Sequence, residues 1–190
     1  MTRIAGIAGS CRRGSVNAAL LGAAVELAPE GVEIITGSIV GVPLYNGDIE
    51  TDKGVPYAVE ELKNLVCRSD ALLLVSPEYN NSIPGVMKNT LDWMSRPPAD
   101  IARVFKGKPV ALIGATPGMV GTRFAQTAWL PVLRALGMNP WFGQQLYVGG
   151  AHKIFDESGR LMDDDIRMRL ERFVTGFCEF VGGRDETGDS

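Results

Sequence analysis

The chain has 190 residues, 45% of them hydrophobic and 22% charged, which is enough for one domain with a sizeable core. Lys and Arg total 19 against 22 Asp and Glu, a net charge of −3, without the clustered basic footprint that nucleic acid or an anionic membrane surface requires. Three cysteines (Cys11, Cys67, Cys178) and one histidine (His152) argue against both a disulfide framework and a protein metal site.

No repeat, low-complexity tract or linker divides the chain, so a single unit is expected over residues 1–183, with a polar tail at 184–190. The apolar run near Met1 is too short for a secretory signal, and no segment reaches the length of a membrane span. A cytoplasmic protein is the expectation.

Ile4 to Ala8 reads as a buried strand, followed by a Gly/Ser/Arg loop. Leu20, Ala23, Ala24 and Leu27 then take helical spacing, ended by Pro29-Glu30-Gly31. Val32 to Ile35 reads as a second strand, and a long irregular stretch follows. Pro56 opens a helix carrying Val59, Leu62, Leu65 and Val66. Ala71 to Val75 is the most apolar run and the best candidate for a central strand. Val110 to Ile113 is the fourth strand, and Phe142 to Val148 is a less apolar fifth. Ile166, Leu170, Phe173, Val174, Phe177 and Val181 form the stripe of a final helix, with Asp163, Asp164 and Asp165 at its positive end. Cys67 and Cys178 read as core thiols on helix faces.

Strands alternating with helices predict an α/β three-layer sandwich around a parallel sheet, and five strands suggest the order 2-1-3-4-5. Ligands in such sheets bind beyond the carboxyl ends of the strands. Three loops fall there.

The first, Gly9 to Asn17, places glycines, Ser10, Ser15 and the arginines Arg12 and Arg13 before a helix, a pattern suited to a phosphate. It is neither an ATP-type P-loop nor a G-x-G-x-x-G loop. Taken alone it also fits a plain turn with Ser15 as N-cap and solvated arginines. The second, Ser76 to Gly85, offers backbone amides and the ring of Tyr79, or a surface turn in which Tyr79 merely packs. The third, Ala115 to Arg123, carries small residues that permit close backbone approach. Together they point to a phosphorylated flat cofactor.

Gly9-Ser10-x-Arg12-x-x-Ser15-x-Asn17-x-x-Leu20 resembles the phosphate loop of the NADPH-dependent FMN reductase family, which is flavodoxin-like. Ser76-Pro77-Glu78-Tyr79-Asn80-x-Ser82-x-Pro84-Gly85, continuing through Lys88-Asn89-x-x-Asp92-Trp93-x-Ser95-Arg96, resembles its second signature. The resemblance runs in order from about Ile4 to Phe180 and is greatest to bacterial quinone and chromate reductases. It implies tightly bound FMN, with Ser10, Arg12, Ser15, Val16 and Asn17 at the phosphate end. Pro77, Glu78, Tyr79, Asn80 and Ser82 would line the isoalloxazine, and Thr116 and Gly118 its other side.

By the same resemblance the flavin carries the chemistry and no side chain is catalytic. NADPH or NADH would donate hydride, and quinones, chromate, azo compounds or free flavin would accept electrons in a ping-pong cycle. Family members are usually homodimers or homotetramers, with Asp92 and Arg96 as interface candidates. Two positions depart from the pattern. Cys11 replaces a usual apolar residue, as redox sensor or small filler, and Pro131 should kink its helix or delay its start. A flavodoxin-type electron carrier is the main alternative, disfavoured by Arg12 and the mild net charge.

Overall fold

Ala71–Val75 (β3) is buried at every residue, as a strand covered on both faces must be. The structure is a computed structural model and describes residues 1–183; the segment 184–190 lies outside the described residues. β3 pairs in parallel with Thr2–Ala8 (β1) on one side and Pro109–Ala115 (β4) on the other. Val32–Gly37 (β2) flanks β1. Two short strands, Asn139–Pro140 (β5) and Leu146–Val148 (β6), share the outer edge of β4. The path β2-β1-β3-β4-β5, all parallel, is the flavodoxin-like order expected.

The fifth strand differs from the expected Phe142 to Val148. The Trp141 amide still donates to the Val110 carbonyl of β4 at 2.8 Å, while its ring meets Phe173 edge-on at 5.0 Å and Phe177 at 5.6 Å, and Phe142 is left exposed. The edge is therefore split, and the chain rejoins the ladder only at Leu146.

Side chains along the central strands alternate between the two faces. Ile4, Leu73, Val75, Ala111 and Ile113 pack under Val16–Glu26 (α1) and Asp164–Gly182 (α7). Ala5, Ile7, Leu72, Leu74 and Val110 pack on the opposite face. That face is covered by Tyr57–Cys67 (α3), Gly85–Met94 (α4), Asp100–Val104 (α5) and Arg123–Ala135 (α6). All six apolar residues of the predicted α7 stripe are buried, and Asp163 caps the helix by accepting from the Ile166 amide at 2.9 Å. Burial pushes the Cys178 thiol up to about 11. Cys67 is only half-buried, its sulfur 3.7 Å from the Arg103 carbonyl.

The stretch read as irregular contains a helix, Gly47–Lys53 (α2 by chain position), none of whose residues is buried. α4 holds this segment from outside. Asn89 donates to the Pro43 carbonyl at 2.8 Å and accepts from the Tyr45 amide at 2.8 Å. Trp93 donates to the same carbonyl at 2.9 Å, and Arg96 donates to Glu50 at 2.8 Å. Asn89, Trp93 and Arg96 of the second signature thus tie this segment to the rest of the fold. Pro131 lies inside α6, which begins on time at Arg123 and runs on to Ala135. Pro131 and Thr127 are both exposed, so water can reach the carbonyl that lacks an amide partner.

Candidate functional site

The three loops leave the sheet in step. Gly9 donates its amide to the Val75 carbonyl at 2.9 Å, Ser76 to Ile113 at 2.8 Å, and Thr116 to Val148 at 2.9 Å. Each loop is therefore anchored by one ladder bond to the neighbouring strand, and all three open at the carboxyl edge.

In the first loop Ser15 is the N-cap of α1, its hydroxyl oxygen accepting from the amides of Asn17 at 3.2 Å and Ala18 at 3.3 Å. Gly14 has φ +64°, and a Cβ there would meet nothing within 4 Å. Arg12 folds its guanidinium onto the Gly14 carbonyl at 2.9 Å, and its amide lies 3.4 Å from the Ser10 hydroxyl. Arg12 and Arg13 are exposed. Among the described residues the amides of Arg13, Gly14 and Ser15 find no protein acceptor. Unpaired amides at a helix start, with arginines alongside, are groups suited to receiving an anion. Val16 is half-buried at the first helical position. Cys11 is exposed and fills no gap in the core.

Asn17 is buried, and its side chain reaches the far side of the site. It donates to the Ala115 carbonyl and accepts from the Ala115 amide, both at 2.9 Å. The first loop is thereby fixed to the start of the third.

The second loop is a tight hairpin. Tyr79 and Ser82 exchange both backbone bonds, at 3.1 and 3.0 Å, around Asn80 and Asn81 at φ 50° and 57°. Asparagine tolerates this left-handed geometry better than other side chains do. The hairpin leaves Tyr79 47% exposed and Asn80 and Ser82 in solvent. Pro77 is buried against Gly9, where a Cβ would come within 3.0 Å of Pro77 Cδ and 2.5 Å of Met87 Sδ. Only glycine lets the first and second loops touch there.

The carboxylate of Glu78 turns away from the hairpin and accepts from the Ala125 amide at 3.0 Å, in the first turn of α6. Thr122, the N-cap residue, makes no side-chain capping bond; its hydroxyl oxygen accepts instead from the Gln126 side-chain amide at 3.0 Å. Beneath the loop Ser76 is buried, accepting from Trp129 at 2.8 Å and donating to the Pro77 carbonyl at 3.0 Å. In the third loop Thr116 is half-buried and accepts from the Ala151 amide at 3.1 Å. Gly118 is exposed and accepts from Gly150 at 3.2 Å. Met119, Val120 and Phe124 stand exposed nearby in sequence.

Ten of the twelve expected residues lie on three adjoining loops, and Val16 and Asn17 lie in the first turn of α1. The fold adds two contacts that local sequence does not signal, Asn17 to Ala115 and Glu78 to Ala125, because each joins elements far apart in the chain. Among the described residues no three His, Cys, Asp or Glu side chains form a metal cluster, and no helix is long and apolar enough to cross a membrane. The loops carry no side-chain acid–base pair.

A flavodoxin-like sheet with an anion loop after its first strand and an exposed aromatic hairpin after its third defines a nucleotide-cofactor-binding α/β protein. The NADPH-dependent FMN reductase family matches residues 2–153. An NAD(P)H-dependent FMN reductase of Pseudomonas aeruginosa is 41% identical over 170 residues, 90% of each chain. A 2-hydroxy-1,4-benzoquinone reductase of a Burkholderia species is 36% identical over 96% of this chain and 97% of its own. The solved structure of FerB, a flavoenzyme NAD(P)H:(acceptor) oxidoreductase from Paracoccus denitrificans, superposes with a TM-score of 0.85 at 32% identity. It covers 96% of this chain and 98% of its own. The chain belongs to the NADPH-dependent FMN reductase family. It is an oxidoreductase that uses FMN, with NAD(P)H as co-substrate.

Proposed function

We propose that the chain is a quinone-type reductase in which FMN is held tightly across the three loops. The observation that carries this is the unpaired-amide receptor at Arg13, Gly14 and Ser15, set beside the exposed Tyr79 hairpin. Ser10, Arg12 and Ser15 would hold the phosphate, with Val16 and the buried Asn17 fixing the helix start beneath it. Charged hydrogen bonds contribute about 1.5–3 kcal/mol each, so Arg12 is the principal phosphate anchor.

The backbone of Pro77, Glu78, Tyr79 and Asn80, with the Ser82 hydroxyl, would line the ring, and Thr116 and Gly118 would bound it from the third loop. FMN held there would supply two-electron chemistry, with NADPH or NADH as hydride donor and a quinone, chromate, an azo compound or free flavin as acceptor in ping-pong order. The amides of Glu78 to Asn80 would stabilise charge that develops there. Stacking against a flat ring accepts many planar oxidants, which fits the different acceptors named for the relatives.

The unit over 1–183 acts as one FMN-binding domain in a cytoplasmic homodimer or homotetramer. Exposed Tyr79, Met119, Val120 and Phe124 beside the loops offer apolar surface for a second copy.

The visible spectrum of the protein supplied with FMN tests this. A flavin band bleached anaerobically by NADPH or NADH and restored by a quinone is the expected result. A bound flavin that neither nucleotide bleaches would make the protein an electron carrier instead.

A further inference from the structure

A cleft of 440 Å3 opens between the solvent side of α1 and residues 151–161, a volume suited to a small ligand. It starts at Arg12 and Ser15 and ends beside Glu26. Along α1 that is roughly 15 Å at about 1.5 Å per residue. The wall facing α1 is built rather than loose. Phe155 and Leu161 bridge a hairpin whose turn is tied by Asp156, which accepts from Ser158 at 2.9 Å and 2.6 Å and from the Arg160 amide at 2.9 Å. Those bonds hold the Asp156 carboxyl below its usual range.

The chemistry of the lining is mixed in an informative way. Phe155 offers a ring, and Arg12 and Arg160 offer cations that form no ion pair among the described residues. Glu26 offers an acceptor at the far end, while Glu157 stands exposed at the hairpin. Gly22 sits in the middle of the helix, where glycine is a poor helix former, yet a Cβ there would meet nothing within 4 Å. Packing does not require that glycine, and its effect is an unobstructed floor. A second cleft on the other side of the first loop has no aromatic ring and no carboxylate in its lining.

We propose that the α1 cleft seats the adenosine diphosphate half of the nicotinamide dinucleotide. Arg160 meets its phosphates, the adenine lies between Phe155 and α1, and Glu26 accepts from hydroxyl or amino groups. The cleft opens at Gly14 and Ser15 of the first loop, so a dinucleotide anchored here has its nicotinamide half toward the carboxyl edge, where the three loops open. This assignment rests on the reductase function proposed above.

The test uses FMN-loaded wild type, Gly22→Leu and Arg160→Gln. Gly22→Leu fills the cleft with a strong helix former, and Arg160 lines this cleft but not the second one. Calorimetric titration with ADP-ribose should show binding to wild type that each variant weakens by about tenfold. The KM for NADH or NADPH should rise by a similar factor. FMN content, and turnover with reduced nicotinamide mononucleotide, which lacks the adenosine half, should not change.

Equal ADP-ribose binding in all three proteins, or none in wild type, would overturn the assignment. So would an equal loss with the mononucleotide donor. If ADP-ribose binding falls while the dinucleotide KM stays put, the cleft takes a separate nucleotide and the assignment also fails. Failure of the reductase function itself looks different, because neither donor would then bleach the wild-type flavin.

Discussion

The side-chain amide of Asn17 pairs reciprocally with the backbone of Ala115, two bonds of 2.9 Å between residues 98 apart in sequence. Asn17 sits in the first turn of α1, just after the anion loop, and Ala115 ends β4, just before the third loop. The pair therefore sets the spacing between the two ends of the proposed flavin site. Asn17→Ala leaves a buried carbonyl and amide without partners, at a cost of about 2 kcal/mol. Urea denaturation of the flavin-free protein should show that loss, and FMN should bind more weakly in a fluorescence titration. Unchanged FMN affinity in a destabilised variant would separate the clamp from the site.

Arg12 bears on FMN retention rather than on turnover. Its guanidinium rests on the Gly14 carbonyl, ready to swing to a phosphate. Arg12→Ala should weaken FMN binding by about 1.5–3 kcal/mol, roughly tenfold to a hundredfold, while kcat of fully loaded enzyme changes little. Flavin remaining after gel filtration reads the first effect. Wild-type retention in Arg12→Ala would remove the phosphate loop from its proposed role.

What was legible in the sequence was what local pattern encodes. Ala71–Val75, the most apolar run and best strand candidate, is a strand buried on both faces, the α7 stripe repeats at helical spacing, and Ser15 and Asp163 cap helices as their positions suggest. Order 2-1-3-4-5 follows from alternation and handedness. Long-range partners were not legible. The polar helix Gly47–Lys53 has no buried residue to give it a period; Arg96, just past α4, bonds its Glu50, and Asn89 and Trp93 of α4 hold Pro43 and Tyr45 just before it. The fifth strand is broken after Trp141, whose ring packs on Phe173 and Phe177, more than thirty residues later. Within the site the residue types were visible, but Asn17 and Glu78 direct their side chains to backbone elsewhere in the fold.

Glu78 caps a helix on a different element. Its carboxylate supplies the acceptor that Thr122 does not, where the helix dipole also favours negative charge. Glu78→Ala should cost about 1 kcal/mol in chemical denaturation, and Glu78→Gln less, because an amide oxygen can still accept. If the second loop depends on this cap, Glu78→Ala will also shift the visible spectrum of bound flavin, whereas Glu78→Gln will leave it near wild type.

Acid sensitivity should be concentrated at Asp100. Arg103 donates to it at 2.8 Å and the fully buried Lys63 at 2.9 Å, and these bonds lower its pKa from 3.8 to about 2. The folded value lies below the unfolded one, so ionised Asp100 stabilises the native state at neutral pH. That contribution fades as pH falls from the ordinary carboxylate range toward about 2. Urea midpoints measured from about pH 5 down to about pH 2 should fall more steeply for wild type than for Asp100→Asn. Lys63→Met acts at neutral pH instead. It takes the ammonium from between Glu60, Asp100 and the Arg96 carbonyl, leaving partly buried acceptors without their cation. A loss of about 3 kcal/mol is expected. Arg103 still pairs with Asp100 in that variant, and adding Asp100→Asn to Lys63→Met should cost less than the sum of the two single losses; a fully additive double mutant would show that the two groups do not interact.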